Sequence, residues 1–267
     1  MPVSSDTSLA AELLLRDDQQ GVTTLTLNTP ERFNTLSEQM LGALQTALAD
    51  LANDEQVRCV VLAANGKAFC AGHDLKQMRA NPDKAYHQAL FARCSEVMQA
   101  IVHFPVPVIA KVQGIATAAG CQLVASCDLA VAAQSARFAV SGINVGLFCS
   151  TPAVALSRNV PRKRAMEMLL TGEFISATQA AEWGLINRVV EDAALDDAVQ
   201  ALTDSICAKS AVAVRTGKAM FARQLAMPLD EAYAFAGETM ACNMQTLDAA
   251  EGIDAFIGKR PPRWQHR

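Results

Sequence analysis

Two separated loops rich in small residues could together stabilise a negatively charged oxygen. One lies around 70–74 and the other around 116–120, and each follows a predicted strand and precedes a predicted helix. The first turn of a helix leaves backbone N–H groups without partners inside the helix. Such groups can hold an enolate or a tetrahedral anion when they converge on one carbonyl oxygen. The sequence therefore predicts an oxyanion-binding site if the two loops meet, although small residues there also suit close packing of a strand on a helix.

Bulk composition restricts the classes of protein to which the chain could belong. The chain has 267 residues, of which 51% are hydrophobic and 19% charged, and this fits a soluble globular protein with a sizeable core. The formal net charge is −4 and the basic residues are dispersed, so we expect no nucleic-acid partner. Lys111 and Asp128 interrupt the apolar stretch 109–133, so we expect no membrane span.

The cysteines and the N-terminal segment bear on the cellular compartment. Eight cysteines are spread through apolar stretches without a framework, and the segment 1–18 has neither a signal-peptide nor a transit-peptide pattern. We therefore expect reduced thiols and a cytoplasmic location.

Hydrophobic periodicity predicts an α/β protein with two regions. A polar tail at 1–10 precedes a hairpin, after which strands and helices alternate up to about 190 and only helices follow. Ser176 and Gln179 fit a capping box, and Gly184 fits the end of that helix. Strands are predicted at 13–16, 22–27, 59–62, 108–112, 128–133 and 185–190, and helices at 37–53, 83–103, 120–127, 162–170, 195–208, 211–227, 230–246 and 249–257. We therefore predict a β–β–α core over 1–195 and a helical region over 196–267.

Five motifs in order resemble those of the crotonase (enoyl-CoA hydratase/isomerase) superfamily. The resemblance covers roughly 12–263, and each motif alone is weak. The motifs are PERFNTL at 30–36, KAFCAGHDL at 67–75, the stretch 114–128, the stretch 166–173 with 175–177, and the residues 251–252, 255–256 and 259–260. The sequence is identified as a member of this superfamily on their order and spacing.

The resemblance implies a fold, an assembly and a ligand. The fold would be a crotonase-like spiral of β–β–α units, with a C-terminal helical region that builds homotrimers, often paired as a dimer of trimers. The ligand would be an acyl-CoA thioester, with coenzyme A entering as part of the substrate and with no covalently bound cofactor. By position, the backbone N–H groups of His73 and Ala119 would form the oxyanion hole. The resemblance also implies substrate or coenzyme A contacts from Arg32, Ala71, Gly72, His73, Asp74, Leu75, Lys76, Ala119, Phe256 and Lys259.

Two departures from the family pattern concern catalysis. Hydratases of this family use two glutamates, and these positions hold Gln122 and Gly142 here. Glutamine cannot exchange a proton near neutral pH, and glycine has no side chain. General acid–base catalysis typically contributes about 10²–10⁴-fold per group, so ordinary hydration should be severely slowed.

Several routes could compensate for the two missing carboxylates. Bicarbonate or another anion could occupy the space beside Gly142, since bicarbonate-dependent naphthoate synthases of the superfamily have glycine there and 145–148 resembles their next run. They hold the anion with a nearby glutamine, where this chain has Val140. Another acid or nucleophile could act instead, with Asp74, Cys149, Ser150 and Glu173 as candidates. The run 146–152 also resembles a subgroup of enoyl-CoA hydratase-domain-containing proteins.

Three functions follow from these alternatives. The first is an enoyl-CoA hydratase-like lyase of fatty-acid or related acyl-CoA metabolism. The second is a non-catalytic acyl-CoA-binding or regulatory protein, and the third is a thioester hydrolase that uses Cys149 or another group.

Structural roles compete with several of these assignments. His73 could contribute only its backbone, Asp74 could cap the following helix, and Gln122 could be a buried amide with satisfied hydrogen bonds. Cys149 could be a core thiol, because neither a base nor a cause for a lowered pKa is visible beside it. Cys70 and His73 have ligand-like spacing but lack a second pair, so no metal site is predicted.

Overall fold

A six-stranded sheet lies at the centre of the core in this computed structural model, which describes residues 13–267. Its order is β1-β2-β3-β5-β7-β10, with β1 and β2 antiparallel and the other neighbours parallel. The strands of the protein are β1 (Leu14–Gln19), β2 (Val22–Leu27), β3 (Cys59–Ala64), β4 (Ala68–Cys70), β5 (Val108–Val112), β6 (Ile115–Thr117), β7 (Leu129–Ala133), β8 (Arg137–Ala139), β9 (Ile175–Ser176) and β10 (Arg188–Val190). The α/β class predicted from the sequence is confirmed, and the predicted tail at 1–10 lies outside the described residues.

The N-terminal hairpin has the register that its alternating pattern predicts. Leu14 pairs with Leu27 and Gln19 with Val22, so two residues form the turn between β1 and β2. In β2 the leucines and Thr23 are buried while the intervening residues are half-buried. This period of two is the signature of a strand with one face on the core.

A second sheet of four short strands lies where the sequence analysis expected mostly loops. Its order is β4-β6-β8-β9, and β4, β6 and β8 are parallel. The loops predicted around 70–74 and 116–120 are therefore wrong in part, because the three-residue strands β4 and β6 extend into their first residues. Strands of three residues are too short to show an alternation, so only their pairing with distant strands defines them.

Eleven α-helices lie in the described part of the chain. They are α1 (Glu38–Ala52), α2 (Leu75–Ala80), α3 (Lys84–Val102), α4 (Ala119–Ser126), α5 (Ser150–Leu156), α6 (Arg162–Thr171), α7 (Ala177–Glu182), α8 (Leu195–Cys207), α9 (Ala211–Gln224), α10 (Leu229–Met244) and α11 (Leu247–Ile257). The Ser37 hydroxyl caps α1, and the capping box predicted at Ser176 and Gln179 is present at α7. The sequence analysis missed α2 and α5, which are each too short to show a helical period.

The helical C-terminal region begins with a helix that packs on one face of the central sheet. Leu195 and Val199 of α8 lie against Val61 and Val131 of the central sheet. Helix α9 is joined to the core by Lys218, whose ammonium group contacts the carboxylate of Asp128. Across 13–267, none of the helices combines the length and apolar character needed to cross a membrane.

Candidate active site

The two small-residue loops meet, because β4 and β6 that precede them are neighbours in the second sheet. Cys70 pairs with Ala116 in this parallel ladder. A Cβ atom built on Gly72 would lie 3.0 Å from the backbone nitrogen of Ala119. A Cβ atom on Gly120 would overlap the carbonyl oxygen of Cys70 and lie 2.8 Å from its Cβ. Glycine at both positions therefore lets the two backbones approach each other. The small residues in the sequence suit such an approach, but only the structure shows that the two loops are in contact.

The start of α4 has an uncommon backbone conformation. Ala118 precedes the helix with φ 50° and ψ −121°, a region that non-glycine residues rarely occupy. Its N–H donates to the carbonyl of Ala139 on β8 at 3.0 Å, which holds the turn in place. The N-cap residue Ala118 has no capping side chain, and the N–H of Ala119, the first residue of the helix, has no partner within the helix. Backbone strain of this kind often accompanies functional sites.

His73 lies opposite this helix start, in a short backbone bridge to Leu36. The Leu36 N–H donates to the Gly72 carbonyl at 2.8 Å, and the His73 Nδ1 lies 3.3 Å from the Leu36 carbonyl oxygen. The imidazole meets the ring of Phe91 edge to face, with centroids 5.5 Å apart. Burial lowers the pKa of His73, and the contact with Leu36 offsets this only in part.

A cavity of about 260 Å³ lies between these two loops and the segment 141–152. Its wall is mainly apolar, and its lining brings together several residues singled out from the sequence: Ala71, His73, Leu75, Ala119, Gly142, Cys149 and Ser150. The other lining residues are Met78, Phe91, Ala118, Ser141, Val145, Leu147, Phe148, Thr151 and Pro152. Among all of these, no side chain is a carboxylate. A mostly apolar cavity with a few converging polar groups is typical of a small-molecule site.

Several predicted contact residues lie beside this cavity without lining it. Asp74 accepts the N–H groups of Lys76 and Gln77 at 2.9 and 3.1 Å, so its carboxylate caps α2. Arg32 is exposed, and the next residue, Phe33, accepts the N–H of Ala71 at 3.0 Å. Arg32 and Lys76 therefore both belong to segments that border the His73 loop.

Other predicted residues do not line the cavity. Gln122 is only 5% exposed on α4, and its Oε1 is buried without a hydrogen-bond partner among the described residues. Residues 13–267 thus supply no donor to this oxygen, and the alternative of a satisfied buried amide stays a prediction. Phe256 and Lys259 lie in and just after α11, and neither lines the cavity within this chain. Glu173 lines a separate groove with Arg164.

Gly142 has no free space in the direction of its missing side chain. A Cβ atom there would lie 2.7 Å from the Cys149 Sγ and 2.7 Å from the Leu147 carbonyl oxygen. The Gly142 N–H donates to the same Sγ at 3.3 Å. An anion beside Gly142 would therefore have to bind in another direction.

We expect Gly142→Ala to lower the free energy of unfolding by about 2 kcal/mol, because the new methyl group overpacks this site. Chemical denaturation of Gly142→Ala, Cys149→Ala and the double variant measures the effect. Because Cys149→Ala removes one of the two colliding atoms, the double variant should be more stable than the sum of the single effects predicts. If the changes in unfolding free energy of the two single variants simply add up in the double variant, Cys149 does not fill this space.

Cys149 is poorly suited to act as a nucleophile. Burial raises the pKa of its thiol, and the hydrogen bond from Gly142 compensates only in part. Its neighbour Cys121 is buried more deeply, and burial raises the pKa of that thiol to about 12. The thiolate is the reactive form of cysteine, so this environment favours an unreactive thiol.

The sequence analysis missed the apolar half of the cavity wall. Phe91 belongs to α3, while Leu147, Phe148 and Pro152 belong to the segment around α5. Leu147 and Phe148 are 49% and 45% exposed, which for large apolar side chains indicates a surface open to a ligand. In the sequence, the run of glycine and apolar residues at 145–148 was the feature that could have indicated this apolar wall.

Comparison with known proteins gives a consistent result over nearly the whole chain. The model of the enoyl-CoA hydratase/isomerase family matches residues 17–267. An enoyl-CoA hydratase structure from Mycobacterium smegmatis is 64% identical, has a TM-score of 0.93, and matches over 94% of this chain and 98% of that one. The human enoyl-CoA hydratase domain-containing protein 3 structure is 44% identical with a TM-score of 0.90, over 94% and 100%. These neighbours bear out the predicted crotonase-like architecture.

The same comparison corrects the predicted location. The mitochondrial enoyl-CoA hydratase domain-containing protein 3 of Rattus norvegicus is 47% identical over 248 residues, which are 93% of this chain and 83% of the relative. The corresponding mouse and human proteins are also named mitochondrial. The prediction of a cytoplasmic location is therefore wrong. Reduced cysteines indicate a reducing environment, but they do not distinguish one such compartment from another.

Proposed function

Because the chain belongs to the enoyl-CoA hydratase/isomerase family, we propose that it binds an acyl-CoA thioester in the cavity beside His73 and Ala119 and acts as an enoyl-CoA hydratase-like enzyme. The observation that carries the proposal is the close approach of the two loops, with Gly72 packed against the Ala119 nitrogen. The cavity beside them has apolar walls that suit an acyl chain. Fatty-acid or related acyl-CoA metabolism is the corresponding metabolic setting.

The thioester carbonyl oxygen is proposed to sit between the backbone N–H groups of His73 and Ala119. An N–H pair stabilises the charge that develops on this oxygen as an enolate forms, and the α4 dipole adds to it. Removing one such donor typically costs about 3–4 kcal/mol of transition-state stabilisation. The parallel pairing of β4 with β6 supports this role, because it brings together the two loops that carry the donors.

The coenzyme A portion is proposed to lie outside the cavity, near Arg32 and Lys76. Both side chains are exposed on segments that border the His73 loop. Cationic side chains there suit phosphate groups without requiring burial of the charge. Phe256 and Lys259 do not line the cavity of their own chain. They are proposed to contact the ligand bound by a second copy of the chain.

A binding or regulatory protein without turnover is the second candidate. The observation that favours it is that no lining residue is a carboxylate, while Gln122 and Gly142 stand at the glutamate positions of the family. Thioester hydrolysis through Cys149 is less well supported, because burial raises the pKa of this thiol. Bicarbonate or another anion is proposed to supplement the site, on a side of Gly142 other than that of its missing side chain.

Isothermal titration calorimetry with crotonyl-CoA, followed by a hydration assay with and without bicarbonate, tests the proposal. We expect binding by the wild type and at least tenfold weaker binding by Ala119→Pro, which lacks the N–H. Proline is compatible with the first position of a helix, where Ala119 lies, but a following proline also restricts Ala118, whose φ is 50°. Circular dichroism and urea denaturation therefore accompany the calorimetry, and binding is compared only if Ala119→Pro folds like the wild type. Ala177→Pro is the matched control, because Ala177 begins α7 away from the cavity.

The results separate the candidates. Binding with hydration supports the enzyme, and a bicarbonate-dependent rate assigns a role to the anion. Binding without hydration, isomerisation or thiol release supports the regulatory protein. Absence of binding, or equal binding by Ala119→Pro, contradicts the proposed site.

We also propose that the protein assembles as a homotrimer or as a dimer of trimers. Large apolar side chains are exposed on the last three helices, among them Phe221, Leu225, Leu229, Tyr233, Met240, Phe256 and Ile257. An apolar surface of this extent usually marks a protein–protein contact. Light scattering of the full chain would measure the assembly directly.

A further inference from the structure

A second groove, of about 720 Å³, lies at the amino ends of two neighbouring strands of the central sheet. Gly21 and Arg58, which line it, immediately precede the parallel strands β2 and β3. The start of α9 and the segment 265–267 form the rest of its wall. The groove shares no lining residue with the cavity between the small-residue loops, so it is a separate feature of the surface.

The groove carries an excess of positive charge. Arg58, Arg215 and Arg267 line it, whereas Glu55 supplies the only carboxylate side chain among its lining residues. None of the three arginines forms an ion pair within residues 13–267. Their charge is therefore available to an anion from outside the chain.

Two of these guanidinium groups are held in position by backbone carbonyl groups. The Arg58 Nη2 donates to the Lys209 carbonyl oxygen at 2.7 Å. The Arg215 Nη2 donates to the carbonyl oxygens of Val57 and Glu55 at 2.9 and 3.3 Å. A guanidinium group has five N–H donors, so these contacts fix each group through one nitrogen and leave donors on the others. Fixed arginine donors of this kind suit the oxygens of a phosphate group.

A histidine beside Arg58 presents a further donor to the groove. The Ala211 N–H donates to the His266 Nδ1 at 3.2 Å, so the Nε2 of the neutral ring carries the proton. The Arg58 Nη1, which can only donate, lies 3.4 Å from this Nε2. The other tautomer would instead oppose Nδ1–H to the N–H of Ala211, which is buried and beyond the reach of a ligand. Two donors therefore face each other at the groove wall, and an anion that accepts from both would satisfy them.

The segment that carries His266 is fastened to the helices beneath it. Asp248 is 2% exposed, and its carboxylate accepts the backbone N–H groups of Gln265 at 2.6 Å and of His266 at 3.1 Å. The Trp264 Nε1 donates to the Ala208 carbonyl oxygen at 2.8 Å. His266 has a φ of 61°, a value that non-glycine residues adopt only when their surroundings impose it. The groove wall is therefore fixed by contacts and is not a loose chain end.

We propose that this groove is a second binding site, which takes the phosphate group of a small molecule. A tetrahedral phosphate offers acceptor oxygens in several directions, and this matches guanidinium and imidazole donors that come from three separate segments of the chain. Free phosphate and a small phosphate ester share this chemistry. The site goes beyond the proposed function, because it is distinct from the cavity in which the acyl-CoA thioester is proposed to bind.

Isothermal titration calorimetry of the full chain with inorganic phosphate and with glycerol 3-phosphate, at constant ionic strength, tests the proposal. We expect Arg58→Gln to weaken binding at least about tenfold, because it removes a charged donor. Arg267→Gln should weaken binding about threefold, since this side chain is more exposed. Arg223→Gln is the matched control, because it removes the same charge from α9 where the side chain lies over Phe235 outside the groove.

Arg32→Gln distinguishes the groove from the proposed coenzyme A contacts near the cavity. We expect this variant to bind phosphate as the wild type does, and a loss equal to that of Arg58→Gln would overturn the proposal. Absence of phosphate binding by the wild type, or unchanged binding by both Arg58→Gln and Arg267→Gln, would also overturn it.

The two probes identify the source of the phosphate group. Tighter binding of glycerol 3-phosphate supports a phosphate ester as the ligand, and equal binding supports free phosphate. Urea denaturation checks that each variant folds. If Arg58→Gln does not fold, Arg267→Gln decides the test, because its side chain contacts only Gln265 within residues 13–267.

Discussion

Replacing Gly120 with alanine is expected to lower the free energy of unfolding by about 3 kcal/mol, at the upper end of overpacking effects. The new Cβ atom would overlap the Cys70 carbonyl oxygen and lie 2.6 Å from its carbonyl carbon. Both are backbone atoms of β4, so no side chain can rotate to make space. Relief requires β4 and α4 to separate, which would also move the His73 and Ala119 N–H groups apart.

Urea denaturation and crotonyl-CoA calorimetry measure both effects in one protein preparation. Gly42→Ala is the matched control, because Gly42 lies inside α1 and a Cβ atom there meets nothing within 4 Å. That change should stabilise the protein by up to about 1 kcal/mol through helix propensity. A Gly120→Ala protein that matched the wild type in stability and binding would show that the loops are not in close contact.

Replacing Lys218 with methionine is expected to lower the free energy of unfolding by about 3 kcal/mol. The Lys218 side chain is 8% exposed and lies 2.5 Å from Asp128, whose side chain is 29% exposed. The ammonium group also donates to the Ile101 and Val106 carbonyl oxygens at 3.1 and 3.0 Å. Burial lowers the pKa of Lys218 and raises that of Asp128, so each charge depends on the other. Removing one partner leaves a mostly buried charge unpaired, which typically costs about 3–5 kcal/mol.

Lys111→Met serves as the matched control for this change. Lys111 also pairs with a carboxylate, at 2.7 Å, but its partner Asp196 is 83% exposed. An exposed pair contributes at most about 1 kcal/mol, so this variant should be nearly as stable as the wild type. Adding Asp128→Asn to Lys218→Met should recover part of the loss, because the amide needs no counter-ion. Equal losses from Lys218→Met and Lys111→Met would contradict the role of a buried ion pair between α9 and the core.

The sequence correctly predicted those elements that are stabilised by interactions between residues close together in the chain. The hairpin of β1 and β2, the Ser37 cap and the capping box at Ser176 follow from residues within a few positions of one another. The short strands β4 and β6 and the helices α2 and α5 did not emerge, because three to seven residues are too few to show a period. The compartment was also mispredicted, since cysteine usage reports on redox conditions alone.

The sequence by itself determined the family, the α/β class and the two loops that carry the proposed chemistry. It did so because helix caps and small-residue loops depend on neighbouring residues, and because the order of the motifs can be read directly along the chain. Only the tertiary structure decided that Gly72 contacts the start of α4, that Cys149 fills the space beside Gly142, and that the His73 Nε2 has no hydrogen-bond partner within 13–267. Each of these depends on atoms brought together by strand pairing and packing between distant segments, and such distances leave no periodic signal in the chain.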